Sequence, residues 1–373
     1  MNIKFNDLSK QWDMIKDHTN PRLEELFKNS DFIGGKAIEQ FEQNFANYIG
    51  TKYAVGCSSG TDALKLSLAS FQLKSPCGII IPANTFIATA LAVTYLYDLE
   101  SELALIDCDE YYQINTDLLE LYLENNRKKW NDCVIIPVHL YGHPVDMKKI
   151  MELAKTYNCL ILEDSSQAHG AMVLNKKVGG FGDLSAFSLY PGKNLGAAGD
   201  AGIITTNSED LYEKIKALRN YGSRVKYYYE FKGWNNRMDT IQAIITDEKL
   251  IHLDNWNNKR IEVANKYNNL LKDNPNIICP RSAPYINKQV YHIYAIRVKN
   301  RDKFQEYLRN HDIPTVIHYP IPIQKTKPFQ YLDKFNNNNT IQFSDELISL
   351  PIHPFLNDEE IEYITQIITN FFE

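Results

Sequence analysis

Several features that mark other protein classes are missing from this 373-residue sequence. No uninterrupted apolar run reaches the length of a membrane-spanning helix, and residues 1–18 lack the apolar core of a signal peptide. The lysines and arginines form no block that would contact nucleic acid or a membrane surface, and the net charge is −6. We therefore expect a soluble cytoplasmic protein that binds neither nucleic acid nor a membrane.

Two further absences narrow the chemistry. The six cysteines include no Cys-x-x-Cys pair, and several lie inside apolar runs, which favours buried structural thiols over disulfides or metal ligands. No Gly-x-Gly-x-x-Gly motif follows the first predicted strand, which argues against a nicotinamide-binding Rossmann domain. We therefore expect neither a metal site nor a nicotinamide cofactor.

What the sequence does contain is an alternation of predicted strands and helices. Apolar runs and helical spacing predict strands at 53–55, 78–81, 103–106, 133–138 and 159–162, and helices at 36–49, 62–71, 85–97, 116–126 and 146–157. This order is typical of an α/β fold whose mostly parallel sheet is covered by helices on both faces.

A long helical pattern from Met238 to Leu271 marks a change of unit. Beyond it, strands are predicted at 290–298 and 314–318, and helices at 301–310 and 357–370. We therefore expect two domains. The first is a large α/β domain over residues 1–240, and the second comprises the connecting helices and a smaller α/β domain over residues 241–373.

The most informative stretch runs from Gly182 to Gly202 and has Lys193 at its centre. A short strand at 184–187 is followed by Pro191-Gly192, so Lys193 lies on a tight bend at a strand end. It is either a solvated loop lysine or an amine held partly neutral by burial, which could form a Schiff base with an aldehyde. Nearby glycines would let the backbone approach a bound group; they are at positions 192, 196, 199 and 202.

Two other strand ends carry candidate binding groups. Gly60 and Thr61 lie between a predicted strand and a helix whose first N–H groups suit a phosphate, although a simple Ser/Thr N-cap is the alternative. Asp164 follows the strand at 159–162, and a buried carboxylate there requires a cation or hydrogen bonds. Ligands of parallel sheets bind at the carboxyl ends of strands, which is where these residues and Lys193 fall.

Six motifs occur in a fixed order: SSGTDAL (58–64), PANTFIATALAV (82–93), PVHLYGHPVDM (137–147), EDSSQAHGA (163–171), FSLYPGKNLGA (187–197) and GWNNRMDTIQA (233–243). Together they resemble the DegT/DnrJ/StrS family of pyridoxal-phosphate-dependent nucleotide-sugar aminotransferases, from about residue 30 to the C-terminus. The resemblance implies a fold type I transferase with pyridoxal 5'-phosphate as its cofactor. Where the family usually has Gly-Asp-Gly-Gly, residues 199–202 read Gly-Asp-Ala-Gly.

The resemblance also implies roles for individual residues. Lys193 would hold the cofactor and move protons, Asp164 would contact the pyridine nitrogen, Gln167 the 3-hydroxyl and Ser188 the phosphate. Phe86 would stack on the ring, unless it is a core aromatic. The remaining cofactor residues would be Gly60, Thr61 and Asn235, and the substrate residues would be Tyr190, Arg237, His318 and Tyr319.

Asn235 matches an asparagine that reaches the cofactor phosphate of a partner subunit, which would make the protein a homodimer with shared active sites. The alternative is an ordinary loop asparagine in an asparagine-rich chain.

By the same resemblance, the expected reaction transfers an amino group from L-glutamate to a dTDP-linked 4-keto-6-deoxyhexose. We expect amination at C-4, giving a sugar such as dTDP-4-amino-4,6-dideoxyglucose, with amination at C-3 of a 3-keto isomer as the alternative. A non-catalytic regulatory relative is a more remote alternative. The retention of Lys193, Asp164, Gln167 and Ser188 together argues against it.

Overall fold

The computed structural model describes residues 3–97 and 102–373 of the chain. The helices are α1 (Leu8–Asn29), α2 (Lys36–Ile49), α3 (Gly60–Phe71), α4 (Ile87–Thr94), α5 (Thr116–Asn126), α6 (Met147–Tyr157), α7 (Glu209–Leu218), α8 (Thr240–Leu250), α9 (Leu253–Leu271), α10 (Arg301–Asn310), α11 (Asn338–Glu346) and α12 (Asp358–Phe372).

The strands are β1 (Tyr53–Cys57), β2 (Cys77–Pro82), β3 (Glu102–Ile106), β4 (Asp132–Ile135), β5 (Leu160–Asp164), β6 (Met172–Val173), β7 (Lys176–Lys177), β8 (Leu184–Ser188), β9 (Gly202–Thr206), β10 (Ser223–Val225), β11 (Tyr228–Tyr229), β12 (Ile277–Ile278), β13 (Ile286–Lys288), β14 (Tyr294–Val298) and β15 (Leu347–Leu350).

The main sheet has seven strands in the order β1-β9-β8-β5-β4-β2-β3. Strand β9 runs antiparallel to both of its neighbours, and the other adjacent pairs are parallel. Strand β2 shows why the sheet is a buried layer: all six of its residues are buried. Ile79 and Ile81 join the hydrophobic cluster on one face, and Ile80 joins the cluster on the other. The expected α/β fold with a mostly parallel sheet is therefore confirmed.

A third hydrophobic cluster lies in the C-terminal part of the chain. There β12, β14 and β15 form a small antiparallel sheet, and α9 packs against α12. The long helical pattern after Met238 is interrupted between Leu250 and Leu253, so that α8 packs against α1 and α2 while the second half of α9 joins the C-terminal cluster. The division at residue 240 stays a prediction.

Two strand predictions in this region were wrong. Residues 314–318 form no strand, and only Val316 makes an isolated bridge, to Ser349. Strand β14 begins at Tyr294 and not at residue 290, because the backbone of Val290 bonds to Gly142 and to the Asn194 side chain instead of to a neighbouring strand. The segment 290–293 therefore contacts loops of the main sheet instead of extending β14.

The N-terminal residues connect the C-terminal hydrophobic cluster to the backbone at Gly192. Ile3 is buried in the C-terminal cluster, and the Asn6 side chain donates a hydrogen bond to the carbonyl of Gly192 at 3.2 Å. Helix α1, which the sequence analysis did not predict, then packs against α8. Within residues 3–97 and 102–373, no helix combines the length and the apolar character needed to cross a bilayer.

Candidate active site

Lys193 lies on the turn that connects β8 to β9. Its N–H donates to the carbonyl of Tyr190 at 2.8 Å, which closes the turn. A Cβ built on Gly196 would lie 2.2 Å from the Pro191 carbonyl oxygen, so this glycine is required by the turn itself and not by a bound group. The Asn194 side chain points inward and donates to Asn257 at 2.8 Å. The turn is thus fixed to α9.

The Lys193 side chain is half-buried, which excludes the solvated-loop alternative. Burial disfavours the ammonium form and lowers its pKa from 10.5 to about 8, although the negative charge of Asp164 acts in the opposite direction. A substantial fraction of the amine is therefore neutral near physiological pH. A neutral amine is the form that attacks an aldehyde or accepts a proton.

Asp164 ends β5, and its carboxylate is buried and held from two sides. Oδ2 accepts a hydrogen bond from the Thr89 hydroxyl at 2.8 Å, and Oδ1 accepts one from the N–H of Ser166 at 3.2 Å. The Thr89 hydroxyl also lies 3.0 Å from that of Thr85. Helix α4, which follows β2, therefore orients the carboxylate at the end of β5.

Glu163 precedes Asp164 and faces the opposite side of the strand. It accepts hydrogen bonds from the N–H groups of Gly179, Phe181 and Gly182, each at 2.8 Å. His139 Nε2 lies 3.1 Å from the same carboxylate, while its Nδ1 accepts the N–H of Val145. Because Nδ1 is an acceptor, the imidazole hydrogen is on Nε2 and points at Glu163. This buried pair anchors the end of β5.

Gly60, Thr61 and Ser188 meet at the start of α3. The Ser59 hydroxyl caps this helix by accepting the N–H of Asp62 at 3.0 Å, so the N-cap interpretation is correct for Ser59. The first intrahelical bond runs from Ala63 to Ser59, and the N–H groups of Gly60 and Thr61 come before it. A Cβ on Gly60 would lie 2.5 Å from the Ser188 Cβ. The helix start and Ser188 therefore form a narrow cradle.

Four of the predicted residues form one wall of the site. The Phe86 and Tyr319 rings lie 5.4 Å apart, and Gln167 donates to the Tyr319 hydroxyl at 3.0 Å. Gln167 also accepts the N–H of Tyr141, whose hydroxyl donates to the carbonyl of His318. Phe86 is 50% exposed, so it is not a core aromatic.

Three histidines surround the Lys193 amine. Burial and the nearby Lys193 charge lower the pKa of His169 to about 3 and that of His318 to about 4, and lower the pKa of His292 well below its usual value. All three are therefore neutral. Among the described residues, neither ring nitrogen of His169 has a hydrogen-bond partner, and the buried Asn84 Nδ2 has none either.

Three predicted residues are not part of this group within one chain. Arg237 donates to Asn220 at 3.1 Å, lies over the Tyr221 ring and lines a separate cavity of about 430 Å³ beside α2 and α7. Asn235 is exposed, and Tyr190 has 58% of its surface exposed. Their predicted roles stay predictions.

The sequence analysis missed Thr89 and His292. Thr89 follows Thr85 by four residues, a spacing that places both on one helix face, so it could have been found. His292 carries no such indication. It comes to Lys193 from a distant part of the chain and lies 3.2 Å from the Asn194 side-chain oxygen.

These features fit a flat, phosphate-bearing aldehyde such as pyridoxal phosphate. The cradle at Gly60 and Ser188 suits the phosphate, since uncapped N–H groups at a helix start bind anions. Asp164 is a fixed anion that can face a ring nitrogen, and the unpartnered Asn84 and His169 groups are available to a ligand. Lys193 supplies the amine that would react with the aldehyde.

Comparison with known proteins is consistent with this geometry. Residues 13–369 match the model of the DegT/DnrJ/EryC1/StrS aminotransferase family. The dTDP-3-amino-3,6-dideoxy-alpha-D-galactopyranose transaminase of Aneurinibacillus thermoaerophilus is 38% identical over 370 residues, covering 99% of each chain. The dTDP-3-amino-3,4,6-trideoxy-alpha-D-glucose transaminase of Streptomyces venezuelae is 34% identical, covering 95% of this chain and 92% of the relative.

A solved structure also matches over the full length. The crystal structure of DesV from Streptomyces venezuelae, in complex with a ketimine intermediate, superposes with a TM-score of 0.92 at 33% identity, covering 100% of this chain and 99% of that one. Enzymes of this family are transaminases that use pyridoxal phosphate. Because the family model spans nearly the whole sequence, this chain belongs to the DegT/DnrJ/EryC1/StrS aminotransferase family.

Proposed function

We propose that the protein transfers an amino group from L-glutamate to C-3 of a dTDP-linked 3-keto-6-deoxyhexose. The two relatives named above are both dTDP-3-amino-sugar transaminases, which favours the C-3 alternative over the C-4 reaction expected from sequence. The observation that carries the catalytic part of the proposal is Lys193. It is a half-buried amine with a pKa lowered to about 8, facing the anchored carboxylate of Asp164.

Lys193 acts as the acid and base of the reaction. When bound, pyridoxal phosphate supplies the electron sink that stabilises a carbanion next to the transferred nitrogen. The Lys193 amine takes a proton from the carbon that carries the amino group of the donor, and later returns a proton to the acceptor carbon. Its lowered pKa allows both steps near neutral pH, because the neutral and charged forms are both populated.

Other residues of the chain hold the reacting groups in place. Asp164, which is oriented by Thr89, would hold the ring nitrogen of the cofactor, and Phe86, which lies beside Tyr319, would stack on the ring. The neutral His169, His292 and His318 add no positive charge beside Lys193, so they do not repel the cationic state that the amine adopts after accepting a proton. His318 and Tyr319, which form part of the wall with Phe86 and Gln167, would contact the sugar.

We also propose that the active form is a cytoplasmic homodimer with shared sites. Asn235 is exposed, and its backbone forms an isolated bridge to Asn220, which lines the 430 Å³ cavity. The tyrosines at 227–229 of the hairpin of β10 and β11 are 65–73% exposed, which is unusual for aromatic side chains of a monomer. The partner subunit's active site would cover them, and Asn235 and Arg237 would then contribute to that site.

The reaction is tested by offering the acceptor isomers separately. The protein is incubated with pyridoxal phosphate, L-glutamate and either the dTDP-linked 3-keto-6-deoxyhexose or its 4-keto isomer, and the product is identified by proton NMR. A product aminated at C-3 supports the proposal. A product aminated only at C-4 would mean that the 4-keto isomer is the acceptor. The Lys193→Met variant is the control for background reaction. If glutamate does not convert the cofactor to its amine form, the catalytic proposal fails.

A further inference from the structure

A pair of cysteines lies at the amino ends of two inner strands of the main sheet, and the candidate active site lies at the carboxyl ends. Cys133 is in β4, and Cys159 comes directly before β5. The parallel register pairs Val134 with Leu160, so the two cysteines are neighbours on adjacent strands. Both cysteines join the same hydrophobic cluster, so their side chains lie on the same face of the sheet, and the Cys159 thiol donates to the Tyr157 carbonyl at 3.6 Å. Neighbouring backbones in a sheet are about 5 Å apart, which lies within the Cα separation of disulfides.

The two thiols have different surroundings. Cys133 is 2% exposed, whereas Cys159 is partly exposed. The Arg127 guanidinium is fixed beside Cys159 by hydrogen bonds to the carbonyls of Tyr157 at 2.7 Å and Asn158 at 3.0 Å. A hydrogen bond from Cys133 and the charge of Arg127 lower the pKa of Cys159, although burial opposes them.

The pKa of the buried Cys133 thiol is shifted in the opposite direction. The hydrogen bond to Cys159 and burial raise the pKa of Cys133, so it stays protonated. The pair therefore consists of a partly exposed thiol with a lowered pKa and a buried thiol beside it with a raised one. This is the arrangement of a reactive cysteine beside a resolving cysteine.

We propose that Cys133 and Cys159 form a dithiol that hydrogen peroxide oxidises reversibly to a disulfide. The Cys159 thiolate attacks one peroxide oxygen, the O–O bond breaks, and hydroxide leaves, which gives a sulfenic acid. The Cys133 sulfur then attacks the Cys159 sulfur. The S–S bond forms as the S–O bond breaks, and the thiol proton leaves with the hydroxide as water. The two sulfurs lose one electron each, and the peroxide takes both.

This site is separate from the transaminase chemistry. Cys159 and Asp164 lie at opposite ends of β5, about 16 Å apart at the usual rise per strand residue. The proposal therefore does not depend on the proposed function, and it can be tested on the protein with or without cofactor.

The first experiment uses the unmutated protein and identifies which cysteines become linked. The protein is treated with hydrogen peroxide, blocked with iodoacetamide and digested without reductant, and the linked peptides are identified by mass spectrometry. We expect one linkage, between the peptides of Cys133 and Cys159, that dithiothreitol removes. Before oxidation, Cys159 should be alkylated at least tenfold faster than Cys279, which is also half-buried but whose pKa is raised by burial.

Two variants separate the steps. In Cys133→Ser, peroxide should leave a sulfenic acid on Cys159 that dimedone traps, and in Cys159→Ser neither the linkage nor the dimedone adduct should form. Equal alkylation rates of Cys159 and Cys279 overturn the proposal, as does a peroxide-induced link from Cys133 to the neighbouring buried Cys77 or the absence of any link.

Discussion

The Thr89 hydroxyl, on α4, donates a buried hydrogen bond of 2.8 Å to the carboxylate of Asp164 at the end of β5. The bond joins two parts of the chain separated by 75 residues. It determines which way the carboxylate faces, and the carboxylate is the group proposed to keep the cofactor ring nitrogen charged. The affinity for the cofactor should therefore depend on Thr89.

Replacing Thr89 with valine keeps the side-chain shape and removes the donor. We expect the dissociation constant for pyridoxal phosphate to rise about tenfold, since a lost hydrogen bond to a buried charge is worth about 1.5 kcal/mol or more. Absorbance titration of the apoprotein measures it. Thr94→Val is the matched control, because Thr94 is in the same helix and its exposed hydroxyl donates to the Leu91 carbonyl and not to Asp164. Equal affinities in the two variants would contradict the role of Thr89.

Gly60→Ala tests the proposed phosphate cradle. The new Cβ would lie 2.5 Å from the Ser188 Cβ, so either the helix start or Ser188 must move. We expect a stability loss of about 1–3 kcal/mol and weaker binding of pyridoxal phosphate. Gly180→Ala is the control, because the atom nearest to its Cβ would be 3.5 Å away. Calorimetry with and without the cofactor measures both effects, and unchanged binding in Gly60→Ala argues against the cradle.

The lowered pKa of Lys193 predicts how stability changes with pH. Below about pH 8 the lysine is charged in both the folded and the unfolded state, so the fold bears the full penalty of burying the ammonium. Above about pH 10.5 it is neutral in both states, and the penalty is gone. The apo Lys193→Met variant should therefore melt at a higher temperature than the wild type at pH 7, and the difference should shrink between pH 8 and 10.5. The exposed Lys10→Met variant should show no such change.

Mixed dimers test whether Asn235 acts in the partner subunit. Lys193→Ala and Asn235→Ala proteins are each expected to have little activity alone. If Asn235 serves the partner subunit, a dimer of one variant with the other contains one site with both residues intact. Random mixing then restores about a quarter of the wild-type activity, because half of the dimers are mixed and each has one working site. If Asn235 acts within its own chain, mixing restores nothing.

Much of the fold and of the site could be predicted from local sequence. The apolar run at 77–82 is recognisable as a buried strand, and the placement of Asp164 and Lys193 after strands follows from the alternation of elements. These positions depend on short-range patterns of hydrophobicity and on turn residues, which can be read from one segment at a time.

The rest depends on contacts between distant segments. The bond from Asn6 to Gly192, the approach of His292 to Lys193 and the use of Val290 to bind Gly142 and Asn194 leave no local pattern. The wrong strand at 314–318 has the same cause. Its alternating pattern is local, but β15 pairs instead with β14, and the segment meets β15 only at Val316.

We propose that Lys193 is the lysine that binds the cofactor aldehyde. The most direct test is to reduce the protein loaded with pyridoxal phosphate with borohydride, digest it and locate the phosphopyridoxyl group by mass spectrometry. We expect one labelled peptide, and we expect the label to be on Lys193. Lys249 is the informative competitor, because burial lowers its pKa to about 8 as well, while its amine donates to the Gly196 carbonyl. A label on Lys249, or on any lysine other than Lys193, would contradict the account.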